Sequence, residues 1–177
     1  MNTIIVEGPD GSGKSTLLKE LSKVFNIPVT HTGGPKDVDT LKSQVTLVED
    51  LAREKPCLFD RVPQISEQVY TTIFHRPLGM RHFDLVKSLM SIKPVLIYCR
   101  LQYQEEMLDH ISLQYKPHKS QEWIEDVRKH HKEIVNRYDV VMKDLEGKVP
   151  LFLHYDWQKD SRSSLIFNIK EFNKCVV

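Results

Sequence analysis

The chain has 177 residues, 40% of them hydrophobic and 28% charged, with a formal net charge of +1. That length and apolar fraction fit one domain, residues 1–177, with a core of two or three layers. The near-zero charge argues against a broad basic surface and a stable nucleic-acid complex. No apolar run approaches the roughly 18 residues of a membrane span, and no basic-then-apolar leader precedes the first strand. The three cysteines, Cys57, Cys99 and Cys175, are odd in number and lack metal-ligand spacing. A reducing, cytoplasmic setting without membrane contact is therefore expected.

The first element is Thr3-Ile4-Ile5-Val6-Glu7, an apolar run of the kind that forms a buried parallel strand. Gly8-Pro9-Asp10-Gly11-Ser12-Gly13-Lys14-Ser15 follows at once, and Thr16 continues into a helical pattern. Glycines at these spacings let the backbone curl so that successive N–H groups converge on a phosphate. Lys14 then reaches the β- and γ-phosphates, and Ser15 offers its hydroxyl to Mg²⁺. The helix aims its positive end at the same anion. This strand, loop and helix together predict a bound nucleoside triphosphate, ATP, with Mg²⁺.

Leu17, Leu18, Leu21, Val24 and Phe25 recur at helical spacing and give a helix from about Lys14 to Phe25. A short strand around Pro28 to His31 and a turn at Thr32-Gly33-Gly34-Pro35 lead to a second helix, about Val38 to Glu54, with Leu41, Val45, Val48 and Ala52 on one face. Cys57-Leu58-Phe59 reads as a strand ending on Asp60-Arg61. Helices are predicted over Ser66 to Phe74 and Arg81 to Met90, and a strand over Val95 to Cys99. Polar helical sequence runs from Gln102 to about His110, and a loop carries Lys116-Pro117-His118-Lys119. Ser120 suits the N-cap of one long helix on which Trp123, Val127, Ile134, Tyr138 and Leu145 share a face, and Gly147 stops it. His130 and His131 read as surface of that helix, without a histidine partner at metal-binding spacing. Leu151 to Tyr155 is the last strand, and Leu165, Ile166, Ile169 and Phe172 mark a closing helix.

Five short apolar strands separated by helices predict an α/β fold of the P-loop NTPase type: a five-stranded parallel sheet between helices, with a short lid at about 102–120. Ligands of such sheets collect at the carboxyl ends of the strands. The candidate site therefore comprises the P-loop, His31 to Pro35, Asp60-Arg61, Arg100 and Asp156-Trp157. An aspartate in the position of Asp60 can hold Mg²⁺, and an arginine such as Arg61 can grip a phosphate with two parallel donors. Trp157 suits either of two roles, flanking the adenine of ATP or capping the core.

Glu7 to Thr16 together with Phe59-Asp60-Arg61 and Ser66-Glu67-Gln68-Val69-Tyr70 resembles the thymidylate kinase group of P-loop nucleoside monophosphate kinases. The resemblance implies that Asp10 approaches the acceptor sugar and phosphate, and that Arg61 holds the acceptor phosphate. It also implies that Ser66, Glu67 and Tyr70 line the deoxyribose and base, Tyr70 excluding a 2′-hydroxyl. The helix around Phe83 to Met90 falls where that group forms homodimers. The chain departs from the group in three places. Its 32–35 turn lacks the arginine and glutamate of the usual Arg-Glu-Pro-Gly-Gly segment. Only one helix separates the P-loop strand pair from Asp60 on the side that reads the base. Neither the P-loop nor the lid carries a catalytic arginine, which leaves Lys116 and Lys119 as lid candidates.

The expected activity is phosphoryl transfer from ATP to a deoxynucleoside monophosphate, dTMP or a related pyrimidine. A kinase for a hydroxyl acceptor, a deoxynucleoside or a hydroxymethyl-modified pyrimidine, is the alternative, with Glu67 or Asp10 as base. A guanine-nucleotide switch is disfavoured because its nearest motif, Asn136-Arg137-Tyr138-Asp139, lies inside a helical pattern. A partner-driven ATPase remains the reading outside small-molecule kinases.

Overall fold

A computed structural model describes residues 1–32, 37–75, 79–103 and 121–175. Its elements in chain order are β1 (Ile4–Glu7), α1 (Lys14–Phe25), β2 (Val29–His31), α2 (Val38–Glu54), β3 (Leu58–Asp60), α3 (Pro63–Ile73), α4 (His82–Ile92), β4 (Val95–Cys99), α5 (Gln121–Lys129), α6 (His131–Leu145), β5 (Leu151–Tyr155) and α7 (Arg162–Cys175). The five strands form one parallel sheet in the order β2-β3-β1-β4-β5, the expected α/β architecture. β1 lies at the centre, between β3 and β4, so the P-loop leaves the middle of the sheet's carboxyl edge.

Alternation along the strands splits the core in two. Ile4, Val6, Leu58, Val95, Ile97 and Cys99 pack with Leu17, Leu18 and Leu21 of α1 and with Leu165 and Ile169 of α7. Ile5, Phe59, Leu96 and Tyr98 face the other way, onto Ile65 and Val69 of α3 and Ile134, Tyr138 and Val141 of α6. Nearly all are fully buried, and each such aliphatic side chain contributes roughly 2 kcal/mol. The same period puts Glu7 on the face of Ile5, towards α3 and α6, where its side chain has no access to solvent.

Two helix boundaries differ from those the sequence pattern predicts. α3 begins at Pro63 rather than Ser66, because proline at the first helical position has its φ already set and needs no amide partner. The predicted long helix after Ser120 is broken at His130 (φ −101°, ψ 10°) into α5 and α6. There the His130 ring Nδ1 lies 3.0 Å from the Asp126 carbonyl, which also accepts the His130 amide. His131, just past the break, is 1% exposed, so the expectation of a surface residue is corrected. α4 keeps Leu85 and Leu89 inside and leaves Phe83 70% exposed. Among the described residues no helix is long and apolar enough to cross a membrane. Cys57 and Cys99 are buried free thiols and Cys175 is exposed.

Candidate functional site

The P-loop has the backbone that its glycines predict. Gly8, Gly11 and Gly13 have φ of +145°, +79° and +83°, values that glycine adopts without the Cβ penalty of other residues. A Cβ on Gly8 would stand 2.2 Å from the Cys99 carbonyl oxygen, so the loop's entrance is pressed against the end of β4. Gly13 is the N-cap of α1 and makes no side-chain cap. The first amides of that helix are thus left for an anion. Ser12 is buried and its hydroxyl donates to the Pro9 carbonyl at 2.8 Å.

Lys14 is 8% exposed. Its ammonium donates to the Pro9 carbonyl at 2.5 Å and lies 3.4 Å from Ser12 Oγ. Burial lowers its pKa to about 8, Arg61 adds to the fall, and Asp10 opposes it. A lysine so placed carries a charge that the surroundings do not fully compensate, which suits it to a phosphate.

Arg61 folds back onto this loop. Its Nη2 donates to Asp10 Oδ1 at 2.8 Å and to the Gly8 carbonyl at 3.1 Å, with the side chains 25% and 14% exposed. Its backbone has φ +63°, a left-handed conformation that costs a non-glycine residue roughly 1–2 kcal/mol. Two clamps to β1 hold it there. The Arg61 amide donates to the Val6 carbonyl at 3.1 Å, and the next amide, Val62 N–H, donates to Glu7 Oε1 at 2.8 Å. Burial lowers the Arg61 pKa, but Asp10, Tyr70, Tyr138 and Glu7 together outweigh it and raise it well above its ordinary value. Arg61 is therefore a permanent cation.

Tyr70 completes this side. Its hydroxyl is 3.4 Å from Asp10 Oδ2, its ring centroid is 5.7 Å from the Arg61 guanidinium carbon, and it stacks on Phe74 at 6.2 Å and 7°. Behind it Tyr138 meets Tyr70 edge-on at 6.2 Å and donates its hydroxyl to Glu7 Oε2 at 3.2 Å. Burial pushes the Glu7 carboxyl up to about 7, against the pull of Arg61, the Val62 amide, Lys14 and Tyr138. His131 Nε2 lies 3.5 Å from the Asp10 carbonyl oxygen.

The structure thus brings Asp10, Lys14, Arg61 and Tyr70 together. Ser66 and Glu67 sit on the same helix, but the Ser66 hydroxyl donates to the Val62 carbonyl at 3.1 Å and Glu67 is 5% exposed. Lys116, Lys119 and all but the first two residues of the lid at about 102–120 lie outside the described residues, as do 33–35 of the turn. Glu7, Tyr138 and His131 are members that sequence reasoning missed. Glu7 had a signal: a carboxylate two residues after a buried isoleucine in a parallel strand must face the core.

On the opposite side of the loop, a cavity of about 260 Å³ opens between Gly13, Thr16 and Leu17 and the residues Tyr155, Trp157 and Arg162. Trp157 is 42% exposed, and a Cβ on Gly13 would come within 2.5 Å of its ring. Asp156 ties the turn that carries it, accepting the Gln158 amide at 3.0 Å on Oδ1 and the Gln102 amide at 3.0 Å on Oδ2. Trp157 therefore lines the cavity and does not cap the core.

For the expected Mg²⁺, Ser15 offers a hydroxyl on the first turn of α1. Asp60 offers a carboxylate, 22% exposed and 3.0 Å from His31 Nδ1, near enough to Lys14 to raise its pKa. Both are hard oxygen donors of the kind this ion takes while keeping several waters, so the residues fit it.

No family model matches the chain, and no curated protein matches it. Solved structures do. The YorR protein from Bacillus subtilis, in complex with phosphorylated GDP, is similar with a TM-score of 0.70 at 23% identity over 96% of each chain. Deoxyadenosine kinase from M. mycoides, with products dCMP and dCDP bound, is similar with a TM-score of 0.60 at 15% identity, covering 97% of this chain and 99% of that one. Polyphosphate kinase 2 from Arthrobacter aurescens TC1 gives 0.64 at 12% identity, covering 97% of this chain and 66% of that one. At these identities the likeness shows the fold alone, a five-stranded parallel sheet flanked by helices.

Proposed function

We propose that the chain is a cytoplasmic kinase that transfers the γ-phosphoryl group of ATP to a deoxynucleoside monophosphate, dTMP or a related pyrimidine, as in the thymidylate kinase group. The observation that carries this reading is the placement of Arg61. Asp10 and the Gly8 carbonyl hold this second, permanently charged cation beside the P-loop lysine, a placement that suits a phosphate-bearing acceptor. One neighbour is a deoxynucleoside kinase by name with dCMP among its products, which supports phosphoryl transfer in nucleotide metabolism and, in the acceptor it names, fits the second reading given below.

In the reaction, an oxygen of the acceptor phosphate attacks the γ-phosphorus, the bond to the β–γ bridging oxygen breaks, and ADP leaves with that electron pair. The acceptor oxygen is already anionic, so the protein supplies position and charge. The P-loop amides and Lys14 hold the β- and γ-phosphates. Arg61 exchanges part of its pairing with Asp10 for the acceptor phosphate and sets it in line. Tyr70, fixed by Phe74 and Asp10, walls the sugar where a 2′-hydroxyl would point. Trp157 stacks on the donor base. Ser15 and Asp60 would hold Mg²⁺, which when bound neutralises charge on the donor phosphates. Lys116 and Lys119 serve as lid cations, and Ser66 and Glu67 as the acceptor-side helix.

A hydroxyl acceptor, with Glu67 or Asp10 as base, is the second reading, favoured by the Asp10 carboxylate of the P-loop, which stands beside Arg61 and Tyr70. One experiment separates them: incubate the protein with ATP and each common nucleoside and nucleoside monophosphate, and identify the products. Conversion of dTMP or another pyrimidine deoxynucleotide to its diphosphate supports the proposal. Phosphorylation of a nucleoside with no monophosphate used would replace it with the second reading.

A further inference from the structure

We propose that Glu7 is a positioning residue for the acceptor: through the Val62 amide it fixes the turn that aims Arg61 at the P-loop. The inference rests on the reading of Arg61 as the acceptor-phosphate group.

Arg61 occupies a left-handed backbone conformation, which is retained only where neighbouring contacts enforce it. On the strand side the backbone supplies one contact, Arg61 N–H to the Val6 carbonyl. On the helix side the contact is Glu7 Oε1 with Val62 N–H at 2.8 Å. Val62 is the N-cap of α3 and makes no side-chain cap, so this carboxyl binds the start of the helix that carries Tyr70. The direction of the Glu7 side chain is fixed in turn by the Tyr138 hydroxyl at 3.2 Å. A fully buried carboxyl is costly, and this one spends both oxygens on orienting a turn whose side chain reaches the P-loop.

The titratable groups that bear on Glu7 are Lys14 at the start of α1, Arg61 in the β3–α3 turn, Tyr70 on α3 and Tyr138 on α6, with Cys99 of β4 acting from the other face of the sheet. Of these, Cys99 is pushed up by burial to about 12 and stays a neutral thiol near pH 7. Tyr70 and Tyr138 are raised and stay neutral, and Arg61 stays charged. Lys14, at about 8, titrates above Glu7. When Glu7 takes a proton, the Oε2 proton turns the Tyr138 bond around, and Oε1 becomes a weaker acceptor for Val62. The grip on Arg61 therefore tightens as Glu7 ionises.

The test is steady-state kinetics of Glu7→Ala, Glu7→Gln, Arg61→Ala and the double variant Glu7→Ala/Arg61→Ala, with dTMP and ATP varied in turn. Glu7→Ala is expected to raise the acceptor KM by ~10-fold or more and the ATP KM by less than ~3-fold. Glu7→Gln keeps an acceptor oxygen for Val62 and should keep the acceptor KM within ~3-fold of the parent, while flattening the parent's change in acceptor KM across pH 7. In the double variant, loss of Glu7 should add less than ~2-fold to the effect of Arg61→Ala. Additive effects, or equal rises in both KM values, would overturn the inference. So would a kcat loss in Glu7→Gln of ~10³-fold with acceptor KM unchanged, which would make Glu7 the base of hydroxyl chemistry. If Arg61→Ala leaves the acceptor KM unchanged, the underlying reading of Arg61 fails. If Arg61→Ala raises it and Glu7→Ala does not, only the role given to Glu7 fails. Should Glu7→Ala not fold, the pH profile of Glu7→Gln decides alone: an unflattened profile overturns the inference.

Discussion

Replacing Glu7 by glutamine should stabilise the protein in alkali and do progressively less as the pH falls. The carboxyl is fully buried, and its pKa rises from 4.5 to about 7 on folding, chiefly through burial. Between those values the folded state binds a proton that the unfolded state has released, so the contribution of Glu7 to stability falls as pH rises through this window and levels off above about pH 7. A tenfold change in proton affinity is worth about 1.4 kcal/mol, so ionised Glu7 costs the fold on the order of 3 kcal/mol relative to its protonated form. Glutamine mimics the protonated acid, offering an oxygen to Val62 and an N–H to Tyr138. Urea unfolding of parent and Glu7→Gln, measured at pH 5 and at pH 8.5, should show the variant gaining about 2.5 kcal/mol relative to the parent between the two conditions. Groups remote from Glu7 titrate alike in both proteins and cancel. A difference independent of pH would mean that Glu7 ionises normally, and a gain with the opposite pH trend would mean that its cationic neighbours dominate burial.

Lys14→Ala should leave a folded protein and lower phosphoryl transfer by at least ~10²-fold, because the charge that follows the moving phosphoryl group is removed; near-normal turnover would undo the P-loop assignment. Tyr70→Ala should shrink the preference for a deoxy over a ribo acceptor, which steric exclusion of a 2′-hydroxyl sets at ~10²-fold in the parent. The check is the ratio of kcat/KM for dTMP and UMP, and equal use of both by the parent would remove Tyr70 from this role. Trp157→Ala should raise the ATP KM by roughly tenfold, as expected for loss of a base-stacking aromatic, with the acceptor KM steady; an unchanged ATP KM would leave the ring a surface group.

How far the sequence foretold this arrangement follows from what each signal measures. The five-stranded parallel sheet was legible because short apolar runs separated by crossover helices call for parallel neighbours, and the P-loop was legible because its chemistry is local, eight residues in a row. Arg61 and Tyr70 were legible through the residues around them. Their joint partner Asp10 was expected near the acceptor, but its bonds to both came only with the fold, since residues 10, 61 and 70 meet across three elements. Tyr138 read as an apolar face residue and is one, yet its hydroxyl reaches a carboxylate 131 residues away, a contact no helical period records. His131 was misplaced because its residue type suggested a surface, although its position, four residues after Val127 and three before Ile134, puts it on the buried face.

The central claim, phosphoryl transfer from ATP to a phosphate acceptor, is tested most directly by phosphorus NMR of the protein with Mg²⁺, ATP and dTMP. The account predicts that the dTMP resonance declines as the paired resonances of dTDP and ADP grow, in equal amounts and without inorganic phosphate. ADP and inorganic phosphate accumulating while dTMP stays intact, or thymidine converted to dTMP in a parallel tube with no dTDP formed from dTMP, would contradict it.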